Sequence, residues 1–474
     1  MHPTSSALDL ARSIRDGERT SRETVEACIA AVEAVNPRLN AVVRTRFDEA
    51  RAEAEAADAH IGPKGPLHGV PCTIKECFAL QGMPNTSGLL RRKGIVASED
   101  AVTVARLRAA GAIPVGVTNT SELCMWMESD NRVYGRTNNP YDPTRIVGGS
   151  SGGEGAIIGS GASPFGLGSD IGGSIRMPAF FNGVFGHKPS SGLVPSTGQY
   201  PAADDEAGRY LCSGPLARKA IDLMPLLRIL AGPDGQDAVC QDMELREPSE
   251  VDIRGLEVAV IEENGAVGVS RDLRQAQARA AAHLAEQGAT LRPIRLSALK
   301  KSFDIWSSSL GKFNATPFKV LMGQGEAIDP RMELLRWAVR RSDHTLMATL
   351  LAATEDLTSY FPGYRDRMVN LGDALRDEIA ELLGEDGVLL YPSFPMVAPR
   401  HGWPVLRQLL LRFDYAYTGI WNVVGIPVTQ VPLGLNAAGL PLGVQVGAAH
   451  GRDDLAIAVA MELERAFGGW VRPC

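Results

Sequence analysis

The chain has 474 residues, 45% of them apolar, and no long polar tract, so it can bury a broad core as one large domain or two. Its formal charge of -7 is modest and its Lys and Arg residues are scattered, which argues against nucleic acid as a partner. Seven cysteines, widely spread with no C-x-x-C pair or companion histidine spacing, fit reduced thiols in a cytoplasm and offer no metal site.

The N-terminus lacks a basic region followed by an apolar one. No run of about 18 apolar residues occurs anywhere, so neither secretion nor membrane spanning is expected. Residues 1–60 read as an all-helical entry segment: "ALDLARSIRDG" stops at Gly17, "SRETVEACIAAVEAVNP" starts on a Ser21 cap and ends before Pro37, and "RFDEARAEAEAADAHI" is alanine-rich. From residue 62 the texture changes. "LHGVPCTIKE" and "GAIPVGVTN" read as short buried strands around a helix, "DAVTVARLRAAG", capped by Asp100 and stopped at Gly111.

Between Val133 and Pro215 glycine, serine and proline dominate, which ordinarily marks loops. "LEVAVIEENG", "RDLRQAQARAAAHLAEQG" and "TLRPI" then give strand, helix, strand. Residues 302–383 are largely helical, and "GVLLYPSFP", "IPVTQVPLGL" and "PLGVQVGA" restore strands over 385–474. The expected architecture is a single α/β domain over 1–474 with a helical insertion, residues 62–240 holding its chemistry.

In "GSDIGGSIR", Ser174 follows two glycines, between Asp170 and Arg176. A hydroxyl at neutral pH needs a base within hydrogen-bond reach. One candidate is histidine: "GGSSG" matches the G-x-S-x-G elbow around Ser150, with His187 and His401 downstream, although "NNPYDPTRIVGG" makes a poor preceding strand. Another is Lys75, at the end of an apolar run where burial disfavours an ammonium. Its structural alternative is an ion pair with Glu76. Gly172 and Gly173 would let backbone N–H groups converge on an oxyanion, or simply form a turn.

Lys75 in "GVPCTIKE", then "GGSSGGEGA" at 148–156, then "GSDIGGSIR" at 168–176, together resemble the amidase signature family. "LQGMPNTSG", "TSELCMW", "YGRTNNPYD" and "IRMPAFFNGVFGHKPS" place the likeness nearest its fatty-acid amide hydrolase branch, in the second vertebrate form. The resemblance implies the family fold, a large twisted mixed β-sheet with helices on both faces and a helical insertion capping the pocket. It also implies a Ser-Ser-Lys triad. Ser174 matches the nucleophile, Lys75 the base, and Ser150 the bridging serine after a cis bond, Gly149–Ser150. The oxyanion donors would be the N–H groups of Ile171, Gly172, Gly173 and Ser174, with Asp170, Ser151 and Arg176 as supports. No metal or organic cofactor is implied.

Much of the family has Lys-Asp where this chain has Lys75-Glu76, and the N-terminal membrane anchor of the eukaryotic relatives is not expected here. Met125 and Trp126, with Phe180, Phe181, Ile420 and Trp421, suggest a pocket for apolar acyl or aryl groups. In the insertion, Asp329 and Pro330 start a helix with a Met332, Leu335, Val339 stripe, which in the fatty-acid branch would cap the pocket and touch lipid and otherwise would pack on the core. The expected activity is hydrolysis of small-molecule apolar or aryl amides, with esters and N-aryl carbamates as side substrates, by a cytoplasmic monomer or homodimer. The rivals are a glutamine-dependent amidotransferase subunit, an α/β-hydrolase-type esterase using Ser150, and a non-catalytic binding module.

Overall fold

Short β-branched runs such as "CTIK" and "IPVGVT" become fully buried strands, and the alanine- and leucine-rich stretches between them become helices that cover the sheet. The computed structural model describes residues 5–203, 205–313, 316–355, 361–403, 405, 407 and 414–473. The strands are β1 (Val42–Thr45), β2 (Pro71–Lys75), β3 (Ile113–Thr118), β4 (Asp130–Asn131), β5 (Gly135–Arg136), β6 (Phe165–Asp170), β7 (Phe185–Lys188), β8 (Cys212–Ala217), β9 (Glu257–Val260), β10 (Thr290–Pro293), β11 (Val388–Pro392), β12 (Val428–Leu435) and β13 (Pro441–Ala448).

Eleven of them form one sheet in the order β1-β3-β2-β6-β8-β7-β12-β13-β11-β9-β10. It is mixed: β2 runs parallel to both β3 and β6, whereas β6, β8, β7, β12 and β13 alternate antiparallel. Neighbouring residues of a strand face opposite ways, so Leu216 and Ala217 on β8 enter two different apolar clusters, one on each face.

The entry segment is not all helical. β1 lies inside it, paired antiparallel with β3, because four residues are too few to show a period. The second helix, Ser21–Leu39, takes its cap and capping box from Thr20 and runs past Pro37, and Ser21 instead donates to the Gly69 carbonyl at 3.0 Å. Asp100 does not cap the helix Val102–Ala109 either. It accepts from Gln81 N at 2.8 Å and pairs with Arg108 at 2.7 Å.

The larger departure lies between Val133 and Pro215, where the glycine-rich chain forms the helices Gly152–Gly159 and Arg176–Phe181 together with β6, β7 and β8. Here glycine serves close approach: a Cβ on Gly153 would sit 2.4 Å from Asn119 N. The cap is built from helices Ser302–Phe313, Phe318–Gly323, Pro330–Ala338, Leu346–Thr354 and Pro362–Leu383. Asp329 accepts from Arg331 N at the start of the third, whose Met332, Leu335 and Val339 are exposed and do not pack on the core. No described helix is long and apolar enough to cross a membrane.

A buried carboxyl ties the helix Gly152–Gly159 to β2 and β3. Glu154 accepts from Thr73 Oγ1 at 2.6 Å and Thr118 Oγ1 at 2.8 Å, and burial pushes it up to about 8 against those hydrogen bonds. A carboxyl raised in the folded state contributes stability that is complete below its unfolded value and lost as pH rises through the folded one. Stability measured by denaturant unfolding should therefore decline as pH rises from 4.5 to about 8, and Glu154→Gln should flatten that decline. An equal slope in the variant would assign the dependence to other groups.

Candidate active site

Lys75 ends β2 and is fully buried, yet no carboxylate among the described residues forms an ion pair with it. Its Nζ lies 2.7 Å from Ser150 Oγ and 2.9 Å from Ser169 Oγ. Glu76, the next residue along the chain, is turned to other donors: Thr86 N at 2.7 Å, Thr86 Oγ1 at 2.6 Å, Ser87 N at 2.7 Å and the Tyr134 hydroxyl at 2.7 Å. Burial raises its pKa to about 7 against these bonds. The Lys75–Glu76 ion pair considered from sequence does not form.

The Gly149–Ser150 bond is cis. No strand leads directly into Ser150, residues 137–150 being irregular, and the histidines of the elbow reading are engaged elsewhere. His187 lies between Thr429 Oγ1 and Asp453 Oδ1, each at 2.9 Å, and His401 pairs with Glu128. The α/β-hydrolase geometry is therefore not the one adopted. Ser174 follows β6, and Ser151 N donates to its carbonyl at 3.2 Å while Ser151 Oγ donates to the Ser169 carbonyl at 3.3 Å. Ser150, Ser169 and Ser174 all line one cavity of about 620 Å³.

The loop between Asp170 and Ser174 is held from several sides. Asp170 accepts from Gly173 N at 2.7 Å, Ile175 N at 3.0 Å, and Arg176 Nε at 3.0 Å and Nη2 at 2.9 Å. Burial alone would raise this carboxyl, but the Arg176 charge and these bonds prevail and hold it well below the usual carboxylate range. One expectation is corrected here: the Gly173 N–H is spent on Asp170, leaving Ile171, Gly172 and Ser174 as the N–H groups of the loop with no acceptor among the described residues. Gly173 still has to be glycine, since its φ is +122° and a Cβ would lie 2.1 Å from Thr418 Oγ1.

Two residues that sequence reasoning missed pin the same loop by its carbonyls. Trp306 Nε1, from the cap helix Ser302–Phe313, donates to the Ile171 carbonyl at 2.8 Å, and Thr418 Oγ1 donates to the Gly172 carbonyl at 2.7 Å. In a trans peptide the N–H opposes the carbonyl, so fixing the Ile171 carbonyl also fixes where the Gly172 N–H points. Thr418 comes from the helix Ala416–Val424, and with Asn422 and the preceding Tyr415 it follows an i, i+3, i+7 spacing toward the loop and cavity. That stripe leaves Ile420 and Trp421 on the core side, so these two expected pocket residues are corrected. Both are fully buried, and Trp421 meets Tyr391 edge-on at 5.0 Å. Phe180 and Phe181 are core as well. Met125 lines the main cavity, and Met125 and Trp126 line a small adjoining chamber with Gly149 and Tyr415.

The rest of the main cavity is mostly apolar, with Phe303, Leu310, Phe318, Leu321 and Leu351 supplied by the cap. Ser169, which holds Lys75, stands inside the quoted motif, but the β2–β6 register sets Gly168 opposite Lys75, so only the structure shows the contact. Trp306 and Thr418 carry no local motif.

A serine backed by a buried lysine, beside backbone N–H groups without acceptors, is the apparatus of a serine hydrolase acting on acyl compounds. The Amidase family model matches residues 23–457, and the chain belongs to that family: it is an amide hydrolase. It is 47% identical to fatty-acid amide hydrolase 2-A of Danio rerio and 44% identical to fatty-acid amide hydrolase 2 of Homo sapiens, each match covering 99% of this chain and 90% of the relative. Among solved structures it resembles 6-aminohexanoate cyclic dimer hydrolase complexed with substrate, with TM-score 0.85, 28% identity, and coverage of 100% of this chain and 99% of that one.

If Trp306 positions the loop through its N–H, Trp306→Phe, which keeps a ring over Gly172, should lower kcat about tenfold and move KM much less. A change in KM alone, in steady-state kinetics with an anilide, would make Trp306 a wall residue only.

Proposed function

We propose that the protein hydrolyses small amides of apolar acids or aryl amines through a relay from Ser174 to Ser150 to Lys75. What carries this reading is the contact of Lys75 Nζ with Ser150 Oγ, beside a Ser174 that opens on the same apolar cavity. Ser174 Oγ attacks the carbonyl carbon and its proton passes to Ser150 Oγ, whose own proton moves to neutral Lys75. The resulting oxyanion faces the N–H groups of Ile171, Gly172 and Ser174. As the C–N bond breaks, the relay returns a proton to the amine, and Ser174 is left as an ester. Water, deprotonated by the same relay, then releases the acid. Asp170, Ser151 and Arg176 act as supports of these loops, consistent with their contacts.

Apolar substrates are favoured over glutamine because the cap lines the cavity chiefly with leucine, phenylalanine and methionine side chains, which offer few partners for a polar amide. The names of the fatty-acid amide hydrolase relatives point the same way. The buried free thiols of Cys28, Cys72, Cys77, Cys124, Cys212 and Cys240 fit the cytoplasm as its compartment.

A fluorophosphonate should label Ser174, as read by mass spectrometry of the modified peptide, and label on Ser150 would overturn the assignment. Lys75→Ala should keep the fold and lower amide hydrolysis by about 10²–10⁴. Activity within about tenfold of the parent, some 1.4 kcal/mol of barrier, would remove Lys75 from the relay.

Carbamates test the leaving-group direction. If the alcohol leaves, Ser174 keeps a carbamoyl group whose nitrogen lone pair slows water, and the compound inhibits. If the amine leaves, a carbonate ester remains that water clears. An aryl amine seated near Met125 and Trp126 favours the second course, so N-aryl O-alkyl carbamates should release arylamine with turnover. Arylamine assay beside the intact protein mass separates the two, a persistent carbamoyl adduct without amine counting against it.

A further inference from the structure

The polar groups along the main cavity divide into those with partners and those without. Beyond Ser150, Ser169 and Ser174, its lining includes Gln199, Ser307, Thr354, Glu355 and Arg365. Ser307 donates to the Asp304 carbonyl at 3.3 Å and Thr354 to the Leu350 carbonyl at 2.9 Å, each within its own helix. Glu355 accepts from Phe318 N at 2.6 Å and Lys319 N at 3.3 Å, with Lys319 Nζ at 3.7 Å, so its charge is matched. Gln199 has a buried Oε1 without a donor, but an amide serves either sense of hydrogen bond and selects no charge.

Arg365 is the exception. It is half-buried near the start of the helix Pro362–Leu383, and its Nε is buried without an acceptor. No described residue accepts from either Nη or forms an ion pair with it. The acids close by are committed elsewhere: Asp366 meets Lys312 at 3.1 Å, and Asp304 meets Lys301 at 3.1 Å and the Tyr364 hydroxyl at 2.8 Å. The first turn of the helix carries no acid, so the helix dipole adds positive partial charge at the same end. A guanidinium always keeps its charge, and one left unpaired against leucine and phenylalanine is costly. The protein does not supply the missing anion, and a ligand in the cavity can.

The direction of the cavity says which part of the ligand carries it. Trp306 and Leu351 border both the main cavity and the small chamber beside Ser174, whereas Leu310, Gly311, Thr354 and Glu355 border the main cavity alone. These last lie three to five positions further along their helices, about 5–8 Å farther from the chamber. There Lys312 meets Asp366, the neighbour of Arg365. We propose that Arg365 selects substrates whose acyl chain ends in a carboxylate, the half-amides of α,ω-dicarboxylic acids. The amine lies in the chamber of Met125 and Trp126, the methylenes run along the apolar side chains of the cap, and the far carboxylate takes both Nη donors of Arg365 as a fork. The reaction is unchanged: the amide takes up water and yields the amine and the diacid. The proposal deepens the amide-hydrolase reading and rests on its placement of the acyl chain.

The test compares a graded series of dicarboxylic mono-anilides with ω-hydroxy analogues of equal length, which are neutral at the far end. In the parent protein kcat/KM should favour the acid by about tenfold at one chain length and less on either side of it. Arg365→Gln should abolish that preference through KM and leave the hydroxy series within about twofold. Arg365→Lys, which keeps the charge but not the fork, should retain part of it, and Arg365→Glu should turn the preference toward ω-amino analogues. No acid preference in the parent, or one that survives in Arg365→Gln, would overturn the proposal. So would a preference equal at every chain length and lost in high salt, the mark of long-range steering. Calorimetry with the free diacid and the matching ω-hydroxy acid reads the same contact without turnover. If no anilide is cleaved while the diacid binds and weakens about tenfold in Arg365→Gln, the hydrolase reading fails and the Arg365 subsite stands. Anilides cleaved with no preference for the acid end defeat the subsite alone.

Discussion

The pair Asp170–Arg176 is the contact on which the rest of the site depends. Both side chains are fully buried, and a buried ion costs several kcal/mol unless its hydrogen-bonding capacity is used. Here it is used. Arg176 spends what Asp170 leaves on the Thr418 carbonyl and Gln445 Oε1, each at 2.9 Å, and on Asn422 Oδ1 at 2.7 Å. Asn422 Nδ2 returns to Asp170 Oδ1 at 3.0 Å and to its carbonyl at 2.9 Å. The end of β6, the loop before Ser174, the helix Ala416–Val424 and β13 are thereby joined through one charge pair. Removing either partner leaves the other charge buried, a loss of about 3–5 kcal/mol.

With that loop fixed, the position of Lys75 follows from the pleat. Lys75 and Glu76 are consecutive at the end of β2, so their side chains take opposite directions. Glu76 goes to the Thr86, Ser87 and Tyr134 donors, and Lys75 goes to Ser150 and Ser169. Ser169 belongs to β6, the strand beside β2 in the sheet, and its hydroxyl meets Lys75 Nζ at 2.9 Å. The glutamate at position 76 therefore bears on the Thr86, Ser87 and Tyr134 donors and leaves the contacts of Lys75 untouched.

What was legible in the sequence follows the range of the signals. The buried strands β2 and β3 are local patterns and stand where the pattern put them, and the motifs around Lys75, Ser150 and Ser174 are local too: Lys75 meets Ser150, and Ser150 and Ser174 line one cavity. The glycine-rich stretch misled because glycine marks both turns and close packing. Only the neighbour decides: Asn119 against Gly153 is a contact between segments, invisible to a window on either. The same reason explains the pocket errors. Ile420 and Trp421 are apolar and near the site in sequence, but the helix turns Tyr415, Thr418 and Asn422 toward it. Nor could a motif reveal that Asp170 consumes the Gly173 N–H, since this depends on which way one peptide plane is rotated.

The cap is therefore more than a wall around the substrate. Trp306 reaches from it to the Ile171 carbonyl, and its ring stands so near Gly172 that a Cβ there would meet it at 2.9 Å. Tyr415 packs edge-on against the same ring at 5.5 Å, and Trp126 lies 6.5 Å beyond Tyr415. A second tie runs from His344 Nδ1 to Glu122 Oε1 at 2.6 Å, both buried, two residues from Cys124 along the chain. The cap thus holds two segments that border Ser174, one carrying the Ile171 and Gly172 peptides and one on the side of Met125. Any movement that admits a long substrate past Phe303 and Leu310 acts on the helix that carries Trp306. Binding in the apolar cavity and alignment of the N–H groups are in this way properties of one helix, so residues chosen for substrate fit also bear on rate.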